Sequence, residues 1–162
     1  MTEQIIKYFN AEKSESLLFI AAGLIAMLIS AYFFFQSKEG FYKGMILPFV
    51  LIGAIQLVVV STVFFRSEKD IEKTKTYLSE SKEVLKQQEL PRMEAVMKNF
   101  QIYKWIEIGF IIVGIILLLT FSSFNYWKGL GLAMLIQGFL MLALDIFEEK
   151  RGVEYIEWIN NL

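Results

Sequence analysis

The sequence predicts an all-α integral membrane protein: a four-transmembrane-helix bundle with a cytoplasmic helical hairpin between spans 2 and 3. Hydrophobic residues make up 56% of the 162 residues and charged residues 20%, whereas soluble domains have about 45–50% and about 25%. Most of the apolar residues are gathered in four long blocks, and the segment between the second and third blocks is rich in Glu, Lys, Gln and Leu. These two patterns together indicate the fold class.

The four apolar blocks cover about residues 17–35, 43–65, 105–124 and 128–147. A helix needs about 20 residues to cross about 30 Å of hydrocarbon, and each block has that length. We expect helices because an open strand in lipid would leave its backbone groups unpaired. Residues 1–162 are therefore expected to form a single membrane domain, with the first block retained as a span.

Basic residues are distributed unevenly among the connections between the blocks. The two tails and the connection 66–104 hold thirteen Lys and Arg residues, and the two other connections, counted with the first residues of the blocks that follow them, hold three: Lys38, Lys43 and Lys128. By the positive-inside rule, both termini and the long connection are expected in the cytoplasm. A composition rich in Ile, Lys and Phe, without Cys, favours a bacterial inner membrane as the location.

The connection 66–104 contains no Gly and one Pro, a composition that favours helix. Apolar residues recur at helical spacing before and after Pro91, so we expect a helical hairpin that turns at Gln87–Pro91. The two apolar stripes either close on each other alone or dock a partner protein or a second copy. The candidate contact residues on these stripes are Leu78, Leu85, Met93, Met97 and Phe100.

The two tails also carry apolar residues at helical spacing. Ile5, Ile6 and Phe9 precede the first span, and the C-terminal segment 148–162 carries Val153, Ile156, Ile159 and Leu162. Segments of this kind commonly lie at a membrane surface with their apolar side toward the lipid. We therefore expect the tails to be interfacial anchors.

Four polar residues interrupt the apolar blocks, and such residues are costly enough in lipid to need a reason. Gln56 and Gln137 lie near the middles of spans 2 and 4, so we expect their amides to pair and fix helix packing. Glu107 and Asp145 lie at the cytoplasmic boundary, where neighbouring Lys and Arg residues are expected to pair with them. If the two carboxylates instead converge without a base, they predict a site coupled to a proton or cation.

Small residues recur every four positions along span 1, at Ala22, Ala26 and Ser30. A spacing of this kind lets two helices approach closely in lipid. The stripe therefore predicts tight packing, either within the bundle or between copies of the chain.

The residue inventory excludes several classes of function. With no His and no Cys, the chain lacks the parts for thiol chemistry, for zinc sites of the usual kind and for a nucleophile with a histidine base. No catalytic cluster, metal site or cofactor motif is recognisable, so we expect a protein that is not an enzyme. A net charge of −1 gives no reason to expect nucleic acid as a partner.

Two functions remain after these exclusions. The first is a membrane protein that acts by protein–protein interaction, most concretely an immunity or accessory protein that recognises a membrane-active toxin or a membrane complex. The alternative is a small oligomeric channel or a cation- or proton-coupled transporter built on the four intramembrane polar residues. In plan alone, the chain is similar to four-span immunity proteins, small exporters and large-pore channels, and no residue motif accompanies that likeness.

Overall fold

The computed structural model describes residues 1–162 and contains four long helices that alternate in direction. Helix α1 covers Thr2–Gln36, α2 Gly40–Glu80, α3 Lys82–Thr120 and α4 Tyr126–Asn160. Each helix includes a stretch long and apolar enough to cross a membrane. The predicted all-α fold with four spans is confirmed, and the architecture is that of a multi-pass membrane protein.

Each helix continues past its apolar block, and all four continuations lie at the same end of the molecule. We call the continuations, residues 2–16, 66–80, 82–104 and 148–160, the extramembrane bundle. Its core consists of six buried side chains from three helices: Ile5, Tyr8, Phe9, Met93, Tyr155 and Ile159. Ile71 and Leu78 of α2 pack against this core. The helices that join spans 2 and 3 are therefore one half of a four-helix bundle, and the two tails supply the other half.

The tails differ from the interfacial anchors that we expected. Residues 148–160 continue α4 without a break and place Tyr155 and Ile159 in the extramembrane core. The first residues of α1 do the same with Ile5 and Phe9, which are fully buried. The physical reason is that each tail carries an apolar stripe, and the stripes of α2 and α3 lie within reach to cover it.

Only Ser81 separates α2 from α3, so the chain reverses direction at a single extended residue. The Ser81 hydroxyl oxygen accepts a hydrogen bond from the Val84 N–H at 3.1 Å and so caps α3. The predicted turn at Gln87–Pro91 is wrong, because Pro91 lies inside α3. Its missing N–H frees only the carbonyl of Gln87, which is an exposed residue, and one lost bond does not end the helix.

Helices α2 and α4 form the centre of the bundle. Helix α1 packs mainly on α2, and α3 packs mainly on α4, so α1 and α3 lie on opposite sides. Helices α1 and α4 touch at few positions. We call the space between them the α1–α4 seam.

Two glycines allow α2 and α4 to meet backbone to backbone. A Cβ atom at Gly44 would overlap the carbonyl oxygen of Tyr126, and one at Gly129 would overlap the carbonyl oxygen of Phe41. Gly109 on α3 has nothing within 4 Å of the place where its Cβ would lie. Close approach therefore requires glycine at Gly44 and Gly129 and does not require it at Gly109.

The small residues predicted to mediate packing do so mainly between α1 and α2. Ala26 and Ser30 are buried, and the Ser30 hydroxyl donates a hydrogen bond of 3.5 Å to the carbonyl of Ile46. A Cβ at Gly53 of α2 would lie 3.5 Å from the Ala26 side chain. Ala22 is half-buried and lines the α1–α4 seam. The stripe thus serves packing within one chain, and its first member borders an open space.

We expect Gly44→Ala and Gly129→Ala each to lower the stability of the bundle by about 1–3 kcal/mol, because the added methyl group must push α2 and α4 apart. Thermal unfolding in detergent micelles measures the effect. Gly109→Ala is the matched control and should leave the melting temperature unchanged or slightly raised, since alanine favours helix. Equal melting temperatures for all three variants would contradict the close contact.

Candidate functional site

The α1–α4 seam contains a lateral cavity of about 420 Å³ within the apolar part of the bundle. One wall is a single face of α1 between Leu18 and Ile29, and the other is a face of α4 between Ile136 and Leu144. Ten of the eleven lining residues are hydrophobic. Several wall residues, among them Ile25 and Ile136, are about half exposed, so the cavity opens sideways to whatever surrounds the spans.

Gln137 is the one polar residue that lines this cavity. It is 1% exposed, and neither its Nε2 nor its Oε1 has a hydrogen-bond partner. A buried polar group left without a partner costs about 1–3 kcal/mol. The amide is therefore an unsatisfied donor and acceptor beside an otherwise apolar space.

Gln56 and Gln137 do not form the amide pair that we expected. The Gln56 Nε2 donates a hydrogen bond of 3.0 Å to the carbonyl of Phe19 on α1 instead. The contacts at Gly44 and Gly129 set α2 and α4 in a register that places Gln137 about five residues, or about 7 Å, from the level of Gln56. From the lengths of the apolar blocks alone, we expected the two amides to lie at similar depths in the membrane. The glycine contacts set a different register and place the amides at different depths.

Glu107 and Asp145 do come together across the contact between α3 and α4. Glu107 is 1% exposed and Asp145 6% exposed, and neither Glu107 carboxyl oxygen has a hydrogen-bond partner of standard geometry. The bases that we expected to pair with them were Lys104, Lys150 and Arg151, and none forms an ion pair with either carboxyl. Lys104 pairs with Glu149 (Nζ to Oε2, 2.6 Å) and Arg151 with Glu15. Two like charges side by side repel, so this pair is suited to hold a shared proton or a cation.

A layer of ion pairs lies between the apolar blocks and the extramembrane core. Arg66 of α2 lies 3.8 Å from Glu12 of α1 and 3.4 Å from Asp70. Lys13 of α1 and Glu68 of α2 approach to 2.6 Å. Sequence reasoning missed this layer, although Glu12 shares a helical face with buried Phe9 and Ser16 and the spacing of that face gave the signal.

Arg92 forms a separate polar contact inside the extramembrane bundle. It donates three hydrogen bonds to the Glu89 carboxylate, of 3.2, 3.0 and 2.7 Å, and its guanidinium lies 5.1 Å from the ring centre of Phe9. The Thr74 hydroxyl donates to the same carboxylate at 3.4 Å. The contact therefore ties α1, α2 and α3 together and pairs the two charges, although Arg92 Nη1 has no hydrogen-bond partner.

Glu148 follows the last apolar block and lies near the ion-pair layer. Burial raises the pKa of its carboxyl to about 8, and the nearby Arg151 opposes this effect only in part. The pKa of Glu12 is also raised by burial, despite the attraction of Arg66. Protons are therefore held at this end of the bundle at pH values where exposed carboxyls have released them.

The predicted contact residues of the hairpin lie inside the extramembrane bundle rather than on a free face. Leu85 and Met93 are fully buried, and Leu78, Met97 and Phe100 are half-buried. Helices α1 and α4 cover this stripe with their own apolar residues. The open apolar surface with an unsatisfied polar group is the α1–α4 seam, which sequence reasoning did not identify as a cavity.

We expect Gln137→Leu to stabilise the chain by about 1–2 kcal/mol, because the substitution removes an amide that has no partner. Gln56→Leu is the matched control: it deletes the hydrogen bond to Phe19 and should give no such gain. Thermal unfolding of both variants in lipid-detergent bicelles provides the measurement. Loss of stability in Gln137→Leu would mean that the amide is satisfied inside the bundle.

The free energy of unfolding should fall as the pH rises from about 4.5 to about 8. The folded chain holds the Glu148 proton up to about pH 8, whereas the unfolded chain releases it near 4.5. We expect Glu148→Gln to flatten this dependence, with a gain of about 1 kcal/mol at pH 8 for a half-buried group. Unfolding measured at several pH values provides the test, and Glu157→Gln, at an exposed position of α4, is the control. An unchanged pH profile in Glu148→Gln would contradict the assignment.

Buried polar atoms without a hydrogen-bond partner lie at three residues of the membrane-spanning part: Gln137 at the α1–α4 seam, Glu107 of the Glu107–Asp145 pair, and Gln56, whose Oε1 is unpaired. No protein-family model, no curated protein and no solved structure matches the chain. The function is therefore inferred from the chemistry of the seam, of its Gln137 amide and of the carboxyl pair.

Proposed function

We propose that the protein is a non-enzymatic membrane protein that acts by binding another membrane protein. The observation that carries this proposal is the lateral cavity of the α1–α4 seam, where the Gln137 amide has no partner within the chain. Polar groups inside membranes are retained mainly where they serve a function. An interaction surface within the membrane gives this amide such a function.

The rest of the molecule supports the same proposal. The α2–α4 contact is closed by glycines, and the extramembrane helices cover one another's apolar stripes. The seam is therefore the surface that offers a partner apolar contact beside the unsatisfied Gln137 amide. The most concrete form of the proposal is an immunity or accessory protein that recognises a membrane-active toxin or a membrane complex. We place it in a bacterial inner membrane with both termini in the cytoplasm, on the basis of the distribution of Lys and Arg.

The second candidate function is a small oligomeric channel or a cation- or proton-coupled transporter. The convergence of Glu107 and Asp145, neither of which forms an ion pair with a base, favours it, because such a pair can exchange a proton or bind a cation. The pair lies where α3 and α4 pack closely, since a Cβ at Gly138 of α4 would lie 3.1 Å from the carbonyl oxygen of Glu107. A continuous pathway would therefore have to be completed by further copies of the chain.

Purification from native membranes and reconstitution together separate the two functions. We expect the tagged full chain to co-purify in mild detergent with a membrane protein at a fixed ratio, as measured by native mass spectrometry. We expect vesicles that contain the pure chain to pass protons and potassium no faster than empty vesicles. Proton flux that Glu107→Gln abolishes, with Glu94→Gln at an exposed site as the control, would overturn the proposal in favour of transport.

A further inference from the structure

We propose that the α1–α4 seam binds a transmembrane helix of a partner protein, an apolar helix that carries one hydrogen-bonding side chain to the Gln137 amide. This inference rests on the proposed function and adds the place and the chemistry of recognition. It follows from three properties of the seam: its shape, its lining and its one unsatisfied group.

The shape of the seam suits a helix. The α1 wall consists of residues spaced three and four apart between Leu18 and Ile29, so it is one straight face about 16 Å long. The α4 wall runs beside it between Ile136 and Leu144. Two helices with a gap between them form a groove into which a third can pack along about three turns.

The lining lets a partner backbone come close. Ala21 and Ala22 lie near the middle of the α1 wall, and both are small and at least partly exposed. Small residues at a helix interface are the usual means by which helices associate in lipid, where no hydrophobic force drives them together. The larger residues Ile25 and Leu140 also line the groove, are exposed, and would contact the bound helix.

The Gln137 amide distinguishes a helix from a lipid as the occupant. An acyl chain would fill the apolar groove and leave both polar atoms of Gln137 unpaired. A helix can bring a Ser, Thr, Asn or Gln side chain that accepts from Nε2 and donates to Oε1. Both polar atoms of Gln137 are covered by the chain itself, so such a partner has to draw the amide into the cavity by rotation about its side-chain torsions.

The absence of Cys from the chain makes a direct test possible, since one introduced Cys is the only thiol. We would reconstitute full-length Ala21→Cys in vesicles of phosphatidylcholine and phosphatidylglycerol with a designed transmembrane peptide of about 23 Leu and Ala residues. The peptide carries one Cys and, at the depth of Gln137, either Asn or Leu. Disulfide formation requires Cα atoms within about 7 Å and so reports contact in the seam. Val113→Cys, at an exposed position of α3, is the matched control.

We expect the Asn peptide to cross-link to Ala21→Cys at least about 5-fold more than the Leu peptide does. Adding Gln137→Leu should bring that ratio to about one, while Val113→Cys should give the same low background with both peptides. Equal cross-linking of the two peptides to Ala21→Cys would overturn the proposal. Cross-linking of Ala21→Cys that does not exceed the Val113→Cys background would also overturn it and would indicate a lipid-filled seam. Preferential cross-linking of Ala21→Cys to a second copy of the chain would overturn it as well.

The test is independent of the test of the proposed function. If no peptide binds the seam but the full chain still co-purifies with a native membrane protein, the binding site is wrong and the function stands. If no native partner co-purifies, the function fails whatever the peptides do. The variant Ala21→Trp links the two tests, because its side chain would fill the groove. The proposal predicts that this variant no longer forms the complex with the native partner. Persistence of the complex would overturn the seam as the binding site.

Discussion

The backbone contact between α2 and α4 at Gly44 and Gly129 is the constraint on which the arrangement of the bundle depends. It brings two parallel helices together at the end of the molecule opposite the extramembrane bundle and sets their register. That register determines which side chains share a depth, and it takes Gln137 away from Gln56. With α1 on one side of this central pair and α3 on the other, α1 and α4 meet only loosely, and the seam is the result.

Lipid made the broad architecture predictable, because it restricts a spanning segment to a helix of about 20 apolar residues. The four spans and the all-α class followed from block length alone. What the sequence did not reveal was which helical faces meet. The stripe around Met93 signalled burial correctly, but its cover came from distant tails, where Ile5 and Tyr155 lie more than 60 residues away. Likewise, Pro91 was the more conspicuous turn signal, whereas the Ser81 cap is where the chain reverses.

The sequence predicted which residues belong to the candidate site, but not which of them contact one another. Gln137, Glu107 and Asp145 stood out because polar groups are rare in apolar blocks. Which basic residue pairs with each carboxyl depends on the other acidic residues that compete for it. The spacing of residues along the sequence does not show that competition. Lys104 and Arg151 were close enough in sequence to neutralise the carboxyls, yet Glu149 and Glu15 engage them. The ion pairs of Lys104 and Arg151 thus leave the Glu107–Asp145 pair without a directly paired base.

The continuity of α1 and α4 has a mechanical consequence. Both helices border the seam and run without a break to the stacked rings of Tyr8 and Tyr155, whose centres lie 4.1 Å apart. Ala22 lies about 21 Å along α1 from Tyr8. Helices of this length act as stiff rods, so wedging them apart in the bilayer must bend one rod or shear the ring stack. A helix bound in the seam, within the hydrocarbon layer, would thereby exert a force on the extramembrane bundle without any loop having to move.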